Sequence, residues 1–151
     1  MKYLHYLIIF LIINLGSLAL GTLLMNNGPQ TNWYLLLKKA PWTPPGWVFG
    51  TAWTFIMICY SFFMSKLFKI KTSKELKIAF TLQVILNISW NYIFFNQHLI
   101  FLGLINLILL NTILCYFYFN LSKTNNKYLL IPYILWMCIA TSLNLYILIH
   151  N

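Results

Sequence analysis

Five apolar stretches, each long enough to cross a lipid bilayer, occupy most of this 151-residue chain and leave little with which to build a water-exposed surface. They run from Tyr3 to Met25, Trp47 to Phe68, Ile78 to Phe95, Leu99 to Leu121 and Tyr128 to Ile149. A helix crosses a hydrocarbon layer about 30 Å thick with about 17–25 largely apolar residues. Hydrophobic residues make up 61% of the chain and charged ones 7%, a balance that no soluble domain of this size carries. The runs are continuous, without the period-two alternation of a membrane barrel, which excludes strands. The expected fold is an all-α integral membrane protein, a five-transmembrane-helix bundle forming one domain over residues 1–151. The first stretch begins beside Lys2, but its apolar run exceeds the about 7–15 residues of a signal core. No small-x-small cleavage site closes it, so it is read as a retained helix.

Lysines set the orientation. Lys2, Lys66, Lys69, Lys71, Lys74, Lys77, Lys123 and Lys127 fall at the N-terminus or in the second and fourth loops, whereas only Lys38 and Lys39 lie on the other side. Positive residues favour the cytoplasm, so the N-terminus is expected inside, and the C-terminus and the first loop outside. The net charge of +9 flanks the spans and forms no soluble basic face, which argues for anionic headgroups and against nucleic acid. Cys59, Cys115 and Cys138 lie within spans without close Cys or His spacing, so neither a disulfide nor a zinc site is indicated.

The first loop is unusual. From Trp33 to Trp53 the chain carries four tryptophans and three prolines, with the core Ala40-Pro41-Trp42-Thr43-Pro44-Pro45-Gly46-Trp47. Each proline ring restricts φ and removes an amide donor, so Pro44-Pro45 is an extended or turning segment and not helix interior. Indoles on a stiff loop hold their positions, which suits a lid over a pocket. A connection as long as Asn26 to Pro45 is more often functional than idle. By contrast, Asn96-Gln97-His98 is barely a turn, and the third and fourth spans are expected to be antiparallel neighbours.

Most chemistry is excluded by what is missing. Glu75 is the only carboxylate side chain, so carboxylate pairs and Ser-His-Asp triads are unavailable. His5, His98 and His150 lie near span ends, where imidazoles usually meet headgroups or water. No metal site or resident cofactor is expected. No charged residue lies in the middle of a span and no internal repeat is visible, which argues against a coupled pump.

Inside the membrane remain aromatic surface and neutral amides. Asn87, Trp90 and Asn91 sit in the third span, and Trp136, Thr141, Ser142 and Asn144 in the fifth. Asn87 and Trp90 share a helical face, as do Trp136 and Ala140. An amide is costly in lipid without a partner. These residues therefore point inward, either bonding a neighbouring helix, the expectation for Asn144, or walling a cavity, which Asn87 beside Trp90 suits equally well. Trp33 and Trp47 read as interface anchors or loop-packing residues. Trp53 and Trp136 lie deeper, but on spans running in opposite directions, so depth alone does not bring them together. Pro132 suits the first turn of the fifth span. Ser17-x-x-x-Gly21 and Gly46-x-x-x-Gly50 fit the small-residue pattern of close helix contacts.

Three blocks together resemble the TspO/MBR family, the bacterial tryptophan-rich sensory proteins and the mitochondrial translocator protein or peripheral-type benzodiazepine receptor. The first is Trp33-Tyr34, Lys39, Pro41-Trp42-Thr43-Pro44-Pro45-Gly46-Trp47, Gly50 and Trp53. The second is Leu86-Asn87, Trp90 and Phe94-Phe95; the third is Leu130-Ile131-Pro132-Tyr133, Trp136, Ala140-Thr141 and Leu143-Asn144. The resemblance is to a bacterial member and covers nearly the whole chain. It implies a five-helix bundle, often a homodimer, with a ligand cavity capped by the long first loop. It implies binding of tetrapyrroles, above all protoporphyrin IX, and of isoquinoline-carboxamide or benzodiazepine-type drugs, in contact with membrane lipid.

Carried over residue by residue, Tyr34, Trp53, Asn87, Trp90, Trp136 and Ala140 line that cavity, with Trp42 and Pro44 as ligand contacts from the loop. A porphyrin is a flat apolar ring with two propionates. Indoles can stack on the ring, and Lys38 and Lys39 are on the correct side to meet the acids. The expected function is a membrane receptor or sensor. Two other activities stay open: light- and oxygen-dependent porphyrin degradation, with Trp53 and Trp136 as the implicated catalytic tryptophans, and transport of porphyrin or lipid. The family's sterol pattern needs a basic residue after an aromatic near the end of the fifth helix, and nothing basic follows Tyr146, which argues against cholesterol. Ala40 stands where the family usually has proline.

Overall fold

The computed structural model describes residues 2–121 and 126–151; Lys123, used above for orientation, lies outside the described residues. Six α-helices follow one another: α1 (Lys2–Leu24), the short α2 (Asn32–Leu36), α3 (Gly46–Ile70), α4 (Lys74–Asn91), α5 (Ile100–Tyr116) and α6 (Ile131–His150). α4 and α5 continue as single π-helical turns, Tyr92–Asn96 and Phe117–Leu121, and a 3-10 turn, Lys127–Leu130, leads into α6. Five of these segments are long and apolar enough to cross a membrane, and no strand occurs among the described residues. The chain is a multi-pass membrane protein.

Helix ends differ from the apolar boundaries in an informative way. α4 begins at Lys74, four residues before the apolar run, because the Ser73 hydroxyl caps it by accepting from the Leu76 amide at 3.2 Å. Lys74 and Lys77 are therefore helical, and only three residues, 71–73, join α3 to α4. Hydropathy marks the lipid-facing length, whereas caps decide where the backbone stops, in the headgroup layer. Pro132 sits in the first turn of α6, where its missing amide costs nothing.

α1 packs on both α3 and α4, α4 on α5, and α5 on α6. α6 closes the ring against α3 most tightly where the Lys127–Leu130 turn meets α3. Tyr60, Phe63, Met64, Leu114, Phe117, Leu130, Tyr133 and Met137 are fully buried at the centre. Because lipid tails are as apolar as leucine, burial alone does not hold such helices together; close packing and interhelical hydrogen bonds do. Four helix pairs carry one amide clip each. Asn14 donates to Ser61 at 2.9 Å, Gln83 to Tyr133 at 2.8 Å, Asn106 to Ser89 at 2.8 Å and Asn111 to Thr141 at 3.2 Å. A clip of this kind contributes about 0.6 kcal/mol on average.

The two small-residue motifs have different fates. A Cβ on Gly21 would lie 2.6 Å from the Asn91 amide nitrogen, so this glycine lets α1 approach α4. Gly46 and Gly50 have no atom within 4 Å of that position. Gly50 instead lines an open groove on the outside of α3 with Trp47, Thr51, Thr54, Phe55 and Ile58. Spacing shows which residues share a face, but not which neighbour lies against it.

Candidate ligand-binding site

The first loop is folded and docked. Asn26 and Asn27 take left-handed conformations (φ 48° and 57°), which asparagine tolerates, and turn the chain into a 3-10 turn at Gly28–Gln30. Gly28 is buried, and a Cβ there would clash with the Phe95 side chain. The Thr31 hydroxyl caps α2, accepting from the Tyr34 amide at 3.4 Å. α2 then presents Trp33, stacked on His98 at 4.0 Å and edge-on to Phe94 at 5.6 Å, and Tyr34, edge-on to Phe95 at 5.2 Å. Trp33 is thus a packing residue of the loop. Trp47 is 73% exposed, the position of an interface anchor.

Beyond α2 the chain runs extended along α6. The Lys38 amide donates to the Asn151 side-chain oxygen at 2.9 Å, and the Asn151 amide donates to the Lys38 carbonyl at 3.2 Å. The Trp42 indole N–H donates to the Ser142 hydroxyl at 3.2 Å, with its ring edge-on to Tyr146 at 5.5 Å. Ala40, buried at 4% exposure, accepts from the Thr43 amide in a turn before Pro44 and Pro45 lead into α3. Phe49, in the first turn of α3, is already level with Trp136. From Trp136 to the end of α6 the rise is about 20 Å at about 1.5 Å per residue. The loop therefore occupies the place beside α6 that a longer α3 would fill. We expect Asn151→Ala to speed hydrogen exchange at the Lys38 amide at least severalfold while leaving the amides of α3–α6 unchanged.

Two aromatic groups pack beside this loop, and Trp90 packs against the core clusters of both. Trp53 lies edge-on to Tyr133 at 5.8 Å and Trp136 edge-on to Phe49 at 5.4 Å. The two indoles thus stand on facing helices, joined by Phe49 and Tyr133. On the other side, Trp90 stacks on Phe94 at 5.1 Å, and Phe94 carries the contacts up to Trp33 and Tyr34. Asn87 is buried one turn along α4 from Trp90, and Ala140 is half-buried one turn along α6 from Trp136. Tyr34 and Trp90 pack against the Phe94–Phe95 cluster, with Asn87 one turn along α4 from Trp90, whereas Trp53, Trp136 and Ala140 belong to the central core. Trp42 is 55% exposed on the flank of α6, and Pro44 is half-buried before α3, so both stand at the rim.

Unpaired polar atoms mark the interior. The indole nitrogens of Trp90 and Trp136 and both side-chain polar atoms of Asn144 are buried without a partner. Asn14, Gln83, Asn106 and Asn111 also leave one atom unpaired, but each has already clipped two helices with the other. Asn144 clips nothing: it is 2% exposed and faces Gly103 of α5, whose Cβ position is 3.2 Å from the Asn144 nitrogen. This corrects the expectation that Asn144 bonds a neighbouring helix, since the residue opposite it is a glycine with no side chain to offer. A buried polar group left unpaired costs about 1–3 kcal/mol. Two N–H donors and a free amide are suited to a ligand bearing hydrogen-bond acceptors. Asn144 was present in the sequence blocks, but without its neighbours nothing distinguished it from a structural amide.

The site is electrically neutral in its depth. Lys39 folds over the Tyr34 ring at 4.7 Å, with its ammonium donating to the Leu35 and Leu37 carbonyls at 3.3 and 3.4 Å, and Lys38 is exposed. Both cations stay at the rim. Burial pushes the Tyr34 hydroxyl above its ordinary value of 10.0. The folded state therefore favours the neutral phenol, and docking of the loop weakens only as pH rises into the alkaline range above that value.

Five helices long and apolar enough to cross a membrane, with the first loop docked against α6, define a multi-pass membrane protein. The chain belongs to the TspO/MBR family, whose model matches residues 8–150. It is 38% identical over 120 residues to the tryptophan-rich protein TspO of Bacillus cereus, covering 74% of this chain and 76% of that one. With the protein of the same name from Archaeoglobus fulgidus it shares 32% identity over 122 residues, 79% and 80% of the two chains. With protein CrtK of Rhodobacter capsulatus it shares 29% over 119 residues, 74% of each.

Proposed function

We propose that this protein is a membrane receptor that binds a flat, hydrophobic tetrapyrrole, with protoporphyrin IX as the reference ligand, in the aromatic site beneath the first loop. The observation that carries this reading is the set of unpaired polar atoms on Trp90, Trp136 and Asn144, placed among aromatic faces and away from any charge. A macrocycle offers a π surface to the indoles and acceptors to their N–H groups, while its propionates stay near Lys38 and Lys39. A similar tryptophan-rich protein from Cereibacter sphaeroides is named a sensory protein, which supports a signalling role. The lysine asymmetry supports a cytoplasmic N-terminus with the capped end outside. Isoquinoline-carboxamide and benzodiazepine-type drugs, also flat and acceptor-bearing, are competing ligands in this reading.

The test is a dark titration of the purified protein with protoporphyrin IX, followed by tryptophan fluorescence. Saturable quenching at one ligand per chain supports the reading. Quenching that rises without saturation, as in empty micelles, sinks it. Facilitated transfer is tested separately, by comparing ligand movement across sealed vesicles with and without the protein.

A further inference from the structure

The only carboxylate side chain of the protein is placed where the residues under the first loop make no use of it. Glu75 lies in the first turn of α4, at the lysine-rich end of the bundle, and the Tyr116 hydroxyl of α5 donates to one of its oxygens. Lys74 stands beside it. These three residues close the end of a groove of about 580 Å³ between α4 and α5, walled by Ile78, Leu82, Thr112 and Ile113 over Ala79. Ile78 and Leu82 are about half-exposed, whereas Ala79 is 8% exposed and too small to fill the floor. The groove is open along one side, and its lining is almost wholly apolar below the Lys74–Glu75–Tyr116 end. This groove opens sideways, where a membrane protein meets lipid and not water.

We propose that the groove is a site for a phospholipid with a primary ammonium headgroup, of the phosphatidylethanolamine type. One acyl chain lies between α4 and α5 against Ala79. Its phosphate meets Lys74, and its ammonium donates to the Glu75 oxygen that Tyr116 leaves free. The charge order argues for this headgroup over others. An ammonium carries N–H donors for a carboxylate, whereas the quaternary nitrogen of a choline lipid carries none. A purely anionic lipid brings no cation and meets the Glu75 charge. A lone acid among ten lysines, held in orientation by a hydroxyl from the facing helix, fits recognition of a paired plus and minus better than attraction to negative surface alone. The inference is independent of what occupies the capped site.

The experiment is native mass spectrometry of the full chain released from bilayers holding equal amounts of phosphatidylethanolamine, phosphatidylcholine and phosphatidylglycerol. The wild type is expected to retain one phosphatidylethanolamine per chain with a preference of roughly tenfold, the scale of one charge-assisted hydrogen bond. Glu75→Gln, at an exposed position, removes the preference but not lipid binding. Ile78→Trp, which fills the groove from its exposed wall, removes retention of any lipid there. Equal retention of all three lipids by the wild type overturns the proposal, as does a preference that survives Glu75→Gln.

Discussion

Replacing Trp53 and Trp136 together by phenylalanine is expected to weaken protoporphyrin IX binding roughly a hundredfold while leaving the fold intact. The variant keeps an aromatic ring at both positions, so the edge contacts with Tyr133 and Phe49 survive in kind. What it removes is the Trp136 N–H, unpaired in the protein, and the larger indole faces. A hydrogen bond contributes about 0.5–1.5 kcal/mol and an aromatic contact a similar amount beyond its area. One hydrogen bond and two reduced indole faces together come to on the order of 3 kcal/mol, or roughly a hundredfold. Trp90 remains as a fluorescent reporter in the variant. Unchanged affinity would mean that the ligand sits elsewhere. Illumination of the same samples in air separates receptor from enzyme. A new absorbing product that needs both light and the two tryptophans makes the protein a porphyrin-degrading catalyst. Bleaching that is equally fast with free tryptophan does not.

Gly28→Ala is expected to destabilise the protein by about 1–3 kcal/mol, the usual cost of forcing a methyl group into packed structure. Its Cβ would clash with the side chain of Phe95, which is itself packed under Tyr34 and Trp90. Either the Gly28 turn lifts or Phe95 moves, and both disturb the lid. Ligand dissociation should therefore quicken along with the fall in melting temperature. Gly50→Ala is the matched control, because its Cβ enters open space and alanine gains about 0.5–1 kcal/mol over glycine inside a helix. Thermal unfolding with ligand dissociation rates, measured on both variants, checks the pair. Equal behaviour of the two would show that the loop does not rest on Phe95.

Some features could be read from residue order because lipid leaves few choices. A continuous apolar run in a bilayer must satisfy its backbone within itself, so five such runs become five helices. Prolines stop helices locally, and thus the Pro44-Pro45 segment is extended and Pro132 falls in a first turn. The short connection around His98 makes α4 and α5 antiparallel neighbours.

Other features required partners distant in the chain. The helix ends depended on a cap at Ser73, and the loop was held less by its prolines than by Gly28, Trp33, Trp42 and Asn151 meeting other helices. Asn14, Gln83, Asn106, Asn111 and Asn144 are the same kind of residue in the same kind of span. Four of them clip helices, whereas Asn144 has Gly103, with no side chain to offer, against it. Trp53 meets Tyr133 and Trp136 meets Phe49 across α3 and α6 because α3 begins late and α6 runs past it. Local chemistry dictates helix, turn and burial, since those depend on neighbours along the backbone and on the solvent. Which amide is left free and which indoles share a wall depend on how five helices pack, a property of the whole bundle.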